Sequence, residues 1–91
     1  MDEVKAINKY GKKYTREDLL EHIVVDRSYI TSINIDGNSI VLQRNFDIAY
    51  KPKHEYYKVY VNEHIICNMC TKNNGLLKAL GVLNETYNSN S

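Results

Sequence analysis

The stretch SYITSINIDGNSIVLQRNFDIAY, from Ser28 to Tyr50, decides the fold. Its first half alternates: Tyr29, Thr31, Ile33 and Ile35 fall on one side of an extended chain, and Ile30, Ser32 and Asn34 on the other, which is the period of a strand. Asp36-Gly37-Asn38 then supplies a tight turn, because Gly and Asn tolerate the positive φ that short hairpins need. The turn sets the register. A loop of Asp36-Gly37 pairs Ile33 with Ile40 and Thr31 with Leu42, and a loop of Gly37-Asn38 pairs Ile35 with Ile40 and Ile33 with Leu42. Both keep apolar against apolar, whereas one more loop residue would set Ile33 against Val41 and Ile35 against Ser39. Beyond the turn Ile40, Leu42, Phe46, Ile48 and Tyr50 are apolar and Gln43, Asn45 and Asp47 between them are polar. One long strand is expected, bulged near Arg44, the only charge on its apolar face.

Working toward the C-terminus, Lys51-Pro52-Lys53-His54 is a turn holding the only proline of the chain, where no backbone donor is needed. A loop of those residues sets Ile48 against Tyr57 and Phe46 against Val59. The third strand runs from about Glu55 to Val61, and a fourth from about His64 to Met69 if Asn62-Glu63 turns tightly. Asn73 or Asn74 then caps a helix that carries Leu76, Leu77, Leu80 and Leu83 at helical spacing, with Gly81 a weak point within it. Residues 84–91 are polar and are expected to form a frayed or disordered tail.

Toward the N-terminus, Val4, Ile7 and Tyr10 recur at a spacing that suggests a helix from Asp2 to Tyr10, stopped by Gly11. Thr15-Arg16-Glu17-Asp18 has the form of a capping box, and Leu19, Leu20, Ile23 and Val24 make an apolar stripe on a helix from about Thr15 to Val24. The expected architecture is α+β: a four-stranded antiparallel meander sheet with an N-terminal helix or helices and a C-terminal helix packed on one face. Residues 1–83 are expected to form one compact domain. Its core is expected to hold Leu19, Leu20, Ile23, Ile33, Ile40, Leu42, Phe46, Ile48, Val59, Val61, Leu76, Leu77, Leu80 and Leu83.

Ninety-one residues leave room for one core. Twelve basic and eleven acidic residues give a net charge of +1, which removes both a strong basic footprint for duplex nucleic acid and an acidic mimic of it. No apolar run is long enough for a membrane span and Met1-Asp2-Glu3 is acidic, so a cytoplasmic protein is expected. A Gly-rich phosphate loop, a metalloprotease helix and a nucleophile elbow are all missing, and the neighbours Glu21-His22 and His54-Glu55 point apart on any regular element. The expectation is a protein that is not an enzyme and carries no cofactor.

Three sets of residues remain as candidates. Tyr56, Lys58 and Tyr60 alternate along the third strand opposite Tyr57, Val59 and Val61. If helices cover the latter, the former stand on an open face with Ile65 and Cys67 beside them. That patch suits contact with another protein or with a second copy in a homodimer, in the manner of a phage or mobile-element accessory protein that inhibits or modulates a host protein. Tyrosine rings beside Lys51, Lys53, Lys58 and Lys72 define an alternative, a single-stranded nucleic-acid or RNA-binding module. His64-x-x-Cys67-x-x-Cys70 defines a second alternative, a small zinc-binding domain, against the plainer reading of two structural thiols.

Pro52-Lys53-His54 followed by Tyr57, Val59 and Val61, with Thr71-Lys72 opening the last helix, loosely resembles the second half of the double-stranded RNA-binding domain. The resemblance implies phosphate contact for Lys72. It covers about a third of the chain. The Gly-rich approach to the last helix is absent, Asn73 stands where that family has a lysine, and an extra strand precedes Pro52, so membership is not assigned.

Overall fold

A computed structural model describes residues 6–47 and 54–89, with side chains up to Glu85. Two helices and five strands follow in the order α1 (Arg16–Glu21), β1 (Ile23–Asp26), β2 (Ile30–Ile35), β3 (Asn38–Asp47), β4 (His54–Val61), β5 (His64–Cys70) and α2 (Lys72–Ser89). The strands form one antiparallel sheet in sequence order, and both helices pack on the same face of it.

The two-residue turns determine this meander. Asp36 and Gly37 take φ of 48° and 84°, which suits the right-handed twist of the flanking strands, and the register is Ile33 opposite Ile40 and Thr31 opposite Leu42. Asn62 and Glu63 repeat the device with φ of 49° and 71° between β4 and β5. The two turns are tied together, since Asn62 donates its backbone N–H to the Ser39 carbonyl and accepts from the Ser39 N–H.

Several expectations need correction. Ile23–Asp26 leaves the helix and becomes a fifth strand: α1 ends at a His22 cap, Asn34 donates to the His22 carbonyl, and Ile23-Val24-Val25 is a β-branched run that prefers a pleated edge to a helix. Residues 6–10 are not helical. Ile7 and Tyr10, the expected apolar stripe, are exposed, while Ala6 and Asn8 are buried beneath the segment. β3 carries no bulge at Arg44, whose charge is met by Glu55 at 2.5 Å and whose guanidinium lies 5.0 Å from the Phe46 ring centre. Finally, Phe46 lies opposite Glu55, and Val59 opposite Leu42, four residues away from the expected pairing. This shift stacks Val59 and Val61 on Leu42 and Ile40, where α2 covers them.

The core between sheet and helices contains Leu19, Ile33, Ile40, Leu42, Val59, Val61, Leu76, Leu80 and Leu83 as expected, joined by Ala6, Tyr14, Ile35 and Ala79. Ile23 is half-buried. Leu20, Phe46 and Leu77 are exposed instead, Phe46 because β3 runs on past the helix layer, and Ile48 lies outside the described residues. The capping box of α1 forms as expected between Thr15 and Asp18. α2 is capped by Thr71 rather than by Asn73 or Asn74, the Thr71 hydroxyl accepting the Asn74 N–H, and the helix continues through the polar residues after Leu83 to Ser89.

Tyr14 fixes the N-terminal segment to the hairpin. Its ring is buried, and its hydroxyl donates to Asp36 at 2.5 Å. This bond, together with Lys12 at 3.5 Å, holds the Asp36 carboxyl below the usual carboxylate range. Burial, then the same bond, raises the Tyr14 hydroxyl well above its ordinary value. A depressed acid contributes stability that is lost as pH falls, and a raised phenol contributes stability that is lost as pH rises. The stability gap between wild type and Tyr14→Phe should therefore be widest between about pH 4 and about pH 10 and should narrow on both sides. Urea unfolding across that range measures it; a gap independent of pH would break the link between the two residues.

Candidate interaction face

With both helices on one side, the other face of the sheet has no covering layer among the described residues. Alternation and register decide what it displays. Tyr56, Lys58 and Tyr60 project to this side, because Val59 and Val61 on the same strand are buried under α2. The strand pairs then place Val25 beside Ser32, Ser32 beside Val41, Val41 beside Tyr60 and Tyr60 beside Ile65. This is a continuous row across all five strands, apolar except at Ser32. Polar pairs flank it, Gln43 with Lys58 on one side and Asn34 with Ser39 on the other.

The expected patch is thus partly gathered and partly divided. Tyr60 and Ile65 are direct neighbours in the row, and Tyr60 is half-buried by it. Lys58 is adjacent on the same strand. Tyr56 lies four residues from Tyr60, about 13 Å along the strand, next to Asn45. Cys67 is not on this face. The β4–β5 register shifts between Tyr60–Ile65 and Val59–Cys67, which turns Cys67 toward the core. Val25 and Val41 belong to the row and were not among the expected residues. Val25 was legible only in the β-branched run Ile23-Val24-Val25, and Val41 only as the partner of Tyr60 once the register is known.

Of the alternative residue sets, the structure describes only part, and that part is spread apart. Lys58 stands on the open face, whereas Lys72 starts α2 on the opposite one, and Lys51 and Lys53 lie outside the described residues. His64 is paired at one end of β5 and Cys70 at the other, so the His64, Cys67 and Cys70 pattern does not close. No group of three or more His, Cys, Asp or Glu placed to hold a metal ion occurs among the described residues. The Cys70 thiol donates toward the Tyr57 carbonyl at 3.6 Å, and burial, with Cys67 beside it, pushes it up to about 11. It therefore remains a protonated, poorly nucleophilic thiol at neutral pH. Of the two histidine–carboxylate neighbours, His22 places Nδ1 2.7 Å from the Asp18 carbonyl and Glu55 is engaged by Arg44, so neither is a matched acid–base pair.

Fold and surface together define a small α+β domain whose sheet, among the described residues, is covered on one side only. Comparison of the chain with protein-family models, curated proteins and solved structures finds no match. No helix among the described residues is long and apolar enough to cross a membrane.

Proposed function

We propose that this chain is a non-enzymatic protein-interaction domain that binds another protein through its open sheet face, with Tyr60 and Ile65 at the centre of the contact and Val25, Val41, Lys58 and Tyr56 around them. The observation that carries this reading is the apolar row crossing every strand on the uncovered side. A solvated sheet face ordinarily alternates polar residues outward. Here valine, tyrosine and isoleucine take those positions, and tyrosine gives a large contact area at low entropic cost.

The test is co-purification from the native host with wild type, Tyr60→Ala and Ile65→Asp. A central aromatic anchor is worth about 2 kcal/mol or more, so Tyr60→Ala should weaken capture by about 30-fold. Its melting temperature should move little, because Tyr60 is only half-buried. Sedimentation of the isolated chain separates a different partner from a second copy of the protein. Capture unaffected by both substitutions would remove the proposal.

A further inference from the structure

We infer that a groove beside the start of β4 receives an extended, acidic segment of another protein, which adds to the sheet edge as a short strand. The groove arises from a mismatch in strand length. β4 begins at His54, but β5 ends at Cys70, opposite Tyr57, and the chain then turns through Thr71 into α2. Among the described residues, Glu55 and Tyr56 therefore have a strand neighbour on one side only, β3.

The direction of their backbone groups follows from ladder alternation. Arg44 donates its N–H to the Tyr29 carbonyl before β2, at 2.8 Å, so Arg44 faces away from β4. Its neighbour Asn45 then faces β4 and pairs with Tyr56, and Glu55 turns its N–H and C=O outward. Those two groups open into a groove of about 680 Å³, a size typical of ligand sites. Among the described residues this donor and acceptor have no strand partner, and such groups at a sheet edge are a template for an added strand.

The walls state what the segment must carry. Met69 and Leu77 line the groove while 54% and 49% exposed, so an apolar side chain is covered there. Charge selects the rest. Glu55 is matched by Arg44 at 2.5 Å, whereas Lys78, also on the wall, makes no ion pair with any described residue. The uncompensated charge is positive, and an aspartate or glutamate on the incoming segment complements it. Tyr56 borders both this groove and the open face, but Val25, Val41, Tyr60 and Ile65 do not line the groove, so Tyr60→Ala tests the open face and Lys78→Glu tests the groove.

The experiment is a selection of a random short-peptide display library on the full chain, counter-selected against Leu77→Asp/Lys78→Glu, a variant altered only at exposed positions. Enriched peptides should alternate apolar residues and carry an acidic one. As synthetic peptides they should shift the Glu55 amide resonance, bind Lys78→Glu at least about ten-fold more weakly, and lose binding when their backbone is N-methylated; Tyr60→Ala should bind them as wild type does. No enrichment, equal binding to the variant, indifference to N-methylation, or shifts confined to Tyr60 and Ile65 would each overturn the inference.

Discussion

Asn38→Ala should destabilise the protein by about 2–4 kcal/mol and lower its melting temperature by roughly 10–25 °C. The Asn38 side chain is 1% exposed and substitutes for a missing strand. Its Oδ1 accepts the Ile7 N–H at 2.8 Å and its Nδ2 donates to the Ile7 carbonyl at 2.6 Å, so one amide satisfies both backbone groups of a residue outside the sheet. The same Oδ1 accepts from Asn62 at 3.0 Å, in the turn between β4 and β5. Alanine removes all three bonds and leaves a void under the N-terminal segment. Buried polar groups stripped of partners cost about 1–3 kcal/mol each, less where water can reach them, which sets the range. Denaturant unfolding measures it. A loss below about 1 kcal/mol would mean that water replaces the amide freely and that the segment is not clamped.

Asn84 repeats the arrangement from α2, accepting the Tyr14 N–H at 2.8 Å and donating to the Tyr14 carbonyl at 3.0 Å, while Asn8 reaches the Leu83 carbonyl. Residues 6–14 are thus held across the fold by asparagines rather than by a helix. This was illegible in the sequence for a definite reason. Apolar periodicity reports which faces are buried, but an amide that imitates a peptide group has no period, and Ile7 and Tyr10 imitate part of a helical stripe by coincidence, while Val4 lies outside the described residues.

Where periodicity and turn chemistry act together, the sequence narrows the register to two. The alternation of Ile33, Ile35, Ile40 and Leu42 admits a loop of Asp36-Gly37 or of Gly37-Asn38, and the structure takes the first, with Asn38 buried at the start of β3. The open face follows from the same parity, since Val59 and Val61 claim the covered side of β4. Parity fails where a single extra residue enters. The shift that turns Cys67 inward at β5 leaves no mark in composition, and neither does the four-residue displacement of Phe46 from Val59, because both alignments preserve parity. β1 was masked by a conflict of signals: Leu19, Leu20, Ile23 and Val24 fit a helical stripe, while β-branching at Ile23, Val24 and Val25 favours a strand. The sheet edge prevails because α1 caps at His22.

Gly75 and Gly81, both in α2 and about 1.7 turns apart, should respond to alanine in opposite directions. A methyl group on Gly75 would lie 2.7 Å from Val59 Cγ2 and 3.2 Å from Leu42 Cδ2, both in the buried core. The glycine is therefore what lets the first turn of α2 approach the sheet, and it fixes the height of the helix over β3 and β4. Overpacking of this kind costs about 1–3 kcal/mol, and the gain in helix propensity returns at most about 1. Gly75→Val adds two more methyl groups and loses helix propensity through its branched Cβ, so about 3 kcal/mol is expected for it. At Gly81 nothing lies within 4 Å of the added methyl and the site is exposed, so alanine should stabilise by about 0.5–1 kcal/mol through propensity alone. Thermal unfolding of Gly75→Ala, Gly75→Val and Gly81→Ala tests the helix height directly. If all three moved stability the same way, or if Gly75→Val were tolerated, α2 would have to sit further from Val59 than the core packing requires.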